Sequence, residues 1–377
     1  MHEFDFFPDR LLSPSLSIIT ALATAVPAHR HEQATIAAFA ARMQTREPGE
    51  ARKLRFLYRH SGIATRHSVL PDYSLAPEAW TFFTAPDPTP VSPSLEARME
   101  VYDREAPRLA LDAARQCLGE QDPSSITHLI TVSCTGMRAP GLDLELMDAL
   151  QLPAHTERLA IHFMGCYAAV QGLKTADQIC ARHAEARVLI VCVELCTLHF
   201  QTEPTEDNIM STLLFADGAA AALVENKGTG FHLDHFYSEV IRNGHNAMSW
   251  ALSSTGFQMQ LSGYVPELIG TDIRSLITRA LNRNSLPAEA IKHWCVHPGG
   301  TRILDAVQRA LDLPEDTLAH SYAVLQQVGN MSSPTILFVL KRWEEQFRNE
   351  STPSSEPLLG LAFGPGLTME TFIAHYA

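Results

Sequence analysis

Ile126–Gly136 (ITHLITVSCTG) and Ile291–Gly300 (IKHWCVHPGG) read alike: each runs from Ile-x-His through a short apolar strand into a glycine turn. Strand-then-glycine is common by itself, so the echo hints at two related halves without establishing them. Working outward, further short apolar runs read as buried strands at Leu16–Ala23, Leu159–Phe163, Val188–Val193, Ala219–Val224 and Leu358–Phe363. Helix patterns lie between them. Ile273, Leu276, Ile277, Ala280 and Leu281 form one apolar stripe, and Leu95–Leu118 is a longer candidate in which Pro107 predicts a kink or a break. Alternation of buried strands with helices predicts an α/β protein. Ala85–Ser94 and Glu350–Pro357 read as irregular loops, too short to be flexible interdomain linkers.

The chain has 377 residues, two to three domains' worth at roughly 150 residues each. With 46% hydrophobic and 19% charged residues it has the means to fold, which excludes a disordered chain. Twenty-nine lysines and arginines against 42 aspartates and glutamates leave a net charge of −13, so nonspecific nucleic-acid binding is not expected. No apolar run reaches the roughly 18 residues of a membrane helix. The opening MHEFDFFPDR carries acids where a signal peptide wants bases. A soluble cytoplasmic protein is expected. The seven cysteines are odd in number and show no CxxC pair, which predicts reduced thiols. Neither HExxH nor paired cysteines occur, so no metal site is expected.

Three places could carry chemistry. In His162–Lys174 an apolar strand meets Gly165, then Cys166, then a small-residue helix, whose N–H groups favour a thiolate. Alone, Cys166 reads as a buried cysteine at a strand–helix turn. In Trp294–Gly300 a strand delivers His297 into a Pro-Gly-Gly turn before a helix over Thr301–Leu311. A lone histidine is more often a core or surface residue. In Val328–Ser333 a polar run carries Asn330, which reads as a helix cap or as an amide donor aimed into a site. Together the types have a joint logic: a thiolate nucleophile, an imidazole partner and N–H donors for an oxyanion. Papain-type proteases use the same types in the same order, but their Cys-Gly-Ser-Cys-aromatic signature is missing.

From about Leu16 to Ala377 the chain resembles the chalcone synthase-like, type III polyketide synthase family. The anchors are Gly165-Cys166-Tyr167, Leu214–Ala220 (LFADGAA), His297–Gly300 (HPGG), Gly329–Ser333 (GNMSS) and Phe363–Thr368 (FGPGLT). The last two separate it from ketoacyl synthase III. The resemblance implies a thiolase fold, two pseudo-repeated αβαβα halves in a five-layered core, here 1–230 with the cysteine and 231–377 with His and Asn. It also implies a homodimer. Cys166 matches the acyl-accepting nucleophile and His297 the histidine that holds it as thiolate. Asn330 matches the asparagine that, with His297, polarises the thioester carbonyl and supports malonyl decarboxylation. Phe215 matches one of two gatekeeping phenylalanines. The second gate falls on Met259, or on Phe257 in another register.

The resemblance further implies acyl-CoA and malonyl-CoA as substrates and no cofactor beyond these thioesters. Lys53, Arg55 and Arg59 align with the CoA-binding basic segment, with Arg302 a further candidate. As residues alone, they read equally as a solvated helix face. Thr135, Ala139 and Cys196 align with cavity or interface positions. Ala139 replaces a methionine that reaches across the plant dimer, and a small residue there would open a channel for a long acyl chain. Trp250 replaces a glycine and reshapes the cyclisation pocket. The pattern is similar to bacterial alkylpyrone and alkylresorcinol synthases, which points to a fatty-acyl starter. Competing expectations are a single condensation on a carrier protein, a small or aromatic starter, a cysteine hydrolase and a non-catalytic scaffold.

Overall fold

A computed structural model describes residues 17–86, 89–349 and 355–377. In chain order the elements are β1 (Ile18–Ala25), β2 (His29–Glu32), α1 (Gln33–Gln44), α2 (Pro48–Arg59), β3 (Thr65–Ser68), α3 (Leu95–Leu118), β4 (His128–Ser133), α4 (Leu142–Leu150), β5 (Glu157–His162), α5 (Ala168–Arg182), β6 (Arg187–Leu195), α6 (Glu206–Leu214) and β7 (Asp217–Glu225). Then follow β8 (Phe231–Val240), β9 (Met248–Ser253), β10 (Gly256–Leu261), α7 (Val265–Asn282), β11 (His293–Val296), α8 (Thr301–Ala310), α9 (Ala319–Val328), α10 (Thr335–Asn349), β12 (Leu358–Gly364) and β13 (Thr368–Tyr376).

Nine strands run in the order β11-β12-β13-β8-β1-β7-β6-β4-β5. The same pairings occur twice. β4 lies parallel to β6, β6 antiparallel to β7, and β7 antiparallel to β1. β11 lies parallel to β12, β12 antiparallel to β13, and β13 antiparallel to β8. Within the sheet the two strand sets join where Ile18 and Ile19 pair with His232 and Phe231. β4 and β11, the strands of the two echoing stretches, hold equivalent places. The echo is therefore structural.

Helices α5 and α10 lie between the halves: α5 packs on β4, β6, β7 and β13, and α10 on β1, β7 and β11. Val170, Leu173 and Ala176 of α5 and Ile336, Val339 and Leu340 of α10 share one buried core with Ile130, Val188, Ile190 and Leu358. Each valine, leucine or isoleucine among them contributes about 1.5–3 kcal/mol on burial. α3 covers the outer side of β1, β6 and β7, while α7 and α8 pack together over the second half. This is the expected five-layered thiolase arrangement. Because α5 begins just after Cys166 and α10 just after Asn330, burying these two helices in one core delivers both side chains to the middle of the molecule.

Pro107 does not break its helix. α3 is continuous over Leu95–Leu118 because Tyr102, Ala106, Leu109, Ala110 and Ala113 are buried on both sides of the proline. Apolar runs also missed β8, β9, β10 and β13, in which polar residues are mixed among apolar ones. Of the two expected loops, 87–88 and 350–354 lie outside the described residues, as does Leu16. Among the described residues no helix is long and apolar enough to cross a membrane.

Candidate active site

Each candidate side chain stands at a turn whose backbone few residues can adopt. β5 ends at His162; Phe163 (φ 57°) and Gly165 (φ 69°) reverse the chain, and Cys166 sits in the turn that leads into α5. A Cβ on Gly165 would lie 2.3 Å from Pro365 Cδ, and one on Gly364 would lie 2.6 Å from Tyr167 Cδ1. The turn after β12 is thus seated directly against the cysteine turn, which is why both motifs carry glycine. His297 leaves β11 with its N–H donating to the Leu361 carbonyl at 2.8 Å. Asn330 follows α9 and Gly329 (φ 73°).

These turns touch one another. The Cys166 thiol donates to Ser332 Oγ at 3.6 Å. Asn330 Oδ1 accepts the Ser332 N–H at 2.8 Å, which assigns Nδ2 as the donating end of the carboxamide. Nδ2 in turn donates to the Gly299 carbonyl, in the His297 turn, at 3.3 Å. Cys166, His297 and Asn330 all line one cavity of about 250 Å³. His297 is 3% exposed, and neither of its ring nitrogens has a partner. Buried polar atoms are nearly always paired, so two orphaned nitrogens on a cavity wall mark capacity held for a ligand.

Burial drives both reactive groups toward their neutral forms. It pushes the Cys166 thiol up to about 11, against the opposing bond from Ser332, and lowers His297 to about 3. Burial thus favours the neutral thiol and the neutral imidazole, and leaves His297 a base with an open nitrogen. A consequence is that alkylation of Cys166 by iodoacetamide rises roughly tenfold per pH unit from pH 7 to 10. Mass-spectrometric rates of Cys166 labelling check this; a rate already flat across that range would contradict it.

Residues 9–228 match the family model of the chalcone and stilbene synthases' N-terminal domain, and residues 232–376 that of their C-terminal domain. The chain belongs to this family. Among solved structures it is similar to PKS-I from the brown alga Ectocarpus siliculosus, at 26% identity and TM-score 0.88 over 98% of this chain and 100% of that one. It is also similar to the C-terminal type III polyketide synthase domain of Steely1, a type I/III hybrid from Dictyostelium. There the identity is 24% and the TM-score 0.85, over 96% and 99% of the two chains. The protein is a polyketide synthase of the chalcone and stilbene synthase family, an acyltransferase-type enzyme.

Most of the other positions read from the sequence of this synthase line the same cavity: Phe215, Met259, Thr135, Cys196, Trp250 and Arg302. Phe257 lines it too, but is stacked on His199 with centroids 4.4 Å apart and packed edge-on against Trp250. Met259, two residues along β10, is only half-buried. The Thr135 hydroxyl is committed, donating to Glu194 at 2.8 Å and accepting the Leu195 N–H. Trp250 is fixed by its Nε1–H, which donates to the Cys134 carbonyl at 2.8 Å. Lys53, Arg55 and Arg59 are exposed on α2 and do not line the cavity, although Leu57, His60 and Ser61 beside them do. Ala139 is exposed and off the cavity wall of the single chain, because the turn after Gly136 carries it to the surface; of its two expected places, cavity or interface, the surface leaves the interface. Within one chain it opens no channel.

Sequence reasoning missed two neighbours of the triad. Ser332 is the direct partner of the thiol. Glu194 is fully buried, with burial raising its carboxyl to about 7. It accepts from the Cys134 N–H, the Thr135 hydroxyl and the Ser333 hydroxyl, tying the turn after β4 to the asparagine turn. Its signal was a carboxylate directly following the apolar run Val188–Val193. Among the described residues, no three His, Cys, Asp or Glu side chains are gathered as a metal ion would need.

Proposed function

We propose that the synthase extends a fatty acyl-CoA with malonyl-CoA and cyclises the product to an alkylpyrone or alkylresorcinol. The observation that carries the chemistry is His297, buried with both nitrogens unpartnered, on one cavity wall with Cys166 and Asn330. In this reading Cys166 sulfur attacks the acyl-CoA thioester. His297 takes the thiol proton and returns it to the departing CoA sulfur. Malonyl-CoA then loses carbon dioxide as its C–C bond breaks, leaving an enolate whose oxygen is stabilised by N–H donors from His297 and Asn330. The enolate carbon attacks the Cys166 thioester, a C–C bond forms, and the Cys166 sulfur departs with the electron pair. No cofactor is required, since the malonyl thioester carbonyl is itself the electron sink.

The fatty starter rests on the character of the wall. Ile36, Leu213, Leu214, Phe215, Met248, Phe257, Met259, Leu261 and Val265 make it largely apolar, with Tyr73 and Phe200 adding aromatic surface. At about 0.8 kcal/mol per buried methylene, kcat/KM should rise roughly fourfold for each CH₂ added until the cavity is full. Product mass spectrometry over a series of acyl-CoA lengths tests this. An optimum at a small or aromatic starter would overturn it. Met259 serves as the yielding gate beside Phe215, since methionine repacks easily and Phe257 is held by His199. Lys53, Arg55 and Arg59 present an unpaired basic face for the CoA phosphates, with Arg302 nearby.

A homodimer completes the proposal. β5 is the edge of the sheet, with Leu159 43% exposed, and Met137 (52%) and Leu144 (37%) are exposed nearby in the chain. An open edge bearing apolar side chains suits a second copy, and this would return the Ala139 turn to an interface.

A further inference from the structure

Arg66 is 2% exposed in β3, and burying a cation is costly unless it organises something. Its guanidinium takes no carboxylate. Nε donates to Gln33 Oε1 at 2.9 Å, and Nη1 donates to the carbonyls of Thr212, at 2.6 Å, and Phe215. These acceptors stand at the C-terminal end of α6, where a helix leaves its last four carbonyls without internal partners and carries partial negative charge. Here all four are satisfied from outside. Thr212 and Phe215 bond Arg66, Leu213 bonds Gln33 Nε2 at 2.9 Å, and Leu214 bonds the Asn330 N–H at 3.0 Å. Asn330 answers with its own carbonyl, which accepts the Ala216 N–H at 2.8 Å.

The arginine stem lies against the same loop. A Cβ on Gly329 would fall 2.8 Å from Arg66 Cγ and Cδ, at a backbone φ of +73°. One side chain thus holds Phe215 by its carbonyl and fills the space beside the residue that precedes Asn330. We infer that Arg66 is the positioning residue of this site: by capping α6 it fixes the strip Leu214–Ala216 against which the Asn330 carboxamide is aligned. Arg66 acts through Asn330 and Phe215 and need not touch substrate. Lysine cannot replace it, because a single ammonium does not present the planar fork that reaches Gln33 and two carbonyls at once.

The inference rests on the proposed role of Asn330 in malonyl decarboxylation, and the test separates the two. Wild type, Arg66→Lys, Gln33→Leu and Asn330→Ala are compared for carbon dioxide release from malonyl-CoA, for iodoacetamide alkylation of Cys166, which needs no carbonyl polarisation, and for Tm. Arg66→Lys should lower kcat for carbon dioxide release by roughly tenfold to a hundredfold, as expected for slight misplacement of a catalytic group. Cys166 alkylation should stay unchanged. Gln33→Leu should show a smaller loss of the same kind, and serves if Arg66→Lys does not fold. Carbon dioxide release at the wild-type rate in both variants would overturn the inference while Asn330→Ala is inactive. A parallel loss of release, alkylation and Tm would overturn it too, by showing a merely structural role. If Asn330→Ala itself releases carbon dioxide normally, it is the underlying reading that fails.

Discussion

Replacing Cys166 with alanine removes polyketide formation, by roughly four orders of magnitude or more, the loss expected when a covalent nucleophile is deleted. The side chain is the thiol of the cavity that touches Ser332 and stands at the start of α5. The cavity also exposes Cys134 and Cys196, so a thiol is not scarce there. Position is what sets Cys166 apart. Cys134 Sγ is occupied in accepting the Gly165 N–H at 3.1 Å, and the Cys196 thiol is pushed well up by burial and by the charges of Glu194 and Asp217. The variant should keep its Tm, because one sulfur is lost from a site that already holds open space. It should also keep releasing carbon dioxide from malonyl-CoA, since that step uses His297 and Asn330. Product yield and carbon dioxide release, measured side by side, check this. A variant that still extends the starter would mean another nucleophile. A scaffold would show no loss of its role at all.

Much of this was legible before any coordinates. β4 and β11 fall on the residues read from the sequence, because strands buried on both faces are written as unbroken apolar runs. β8 and β13 were missed because polar residues interrupt both: β8 is partly open to solvent, whereas β13 is buried nearly throughout but carries Glu370 and Thr371 among its apolar residues. The catalytic types were legible because each sits where a strand or helix empties into a glycine turn. Glu194 and Arg66 were not. The meaning of a buried charge lies in its partners, and Arg66 reaches Phe215 across 149 residues of chain. Which of its two expected places Ala139 takes was not legible either: whether a short turn faces cavity or surface depends on how the whole layer closes over it.

Replacing Asn330 with alanine should cost about 10²–10³ in kcat for condensation, the range for loss of one oxyanion donor. Two effects are mixed in that variant, because the Oδ1 that accepts the Ser332 N–H is lost together with the Nδ2 donor. Asn330→Asp separates them. Aspartate keeps the acceptor and so keeps the loop, but turns a carboxylate oxygen toward the developing enolate. If donation is the role, Asp is as inactive as Ala while its Tm stays closer to wild type. If loop shape is the role, Asp retains most activity. Steady-state rates with malonyl-CoA and thermal melts of the three proteins decide between these outcomes.

The most direct measurement is to mix the protein with an acyl-CoA alone, quench, and map the acyl group by peptide mass spectrometry. One acyl group on the peptide containing Cys166, released as extended product when malonyl-CoA follows, is the predicted result. Acylation confined to another cysteine, or extended product formed with Cys166 never acylated, would contradict it.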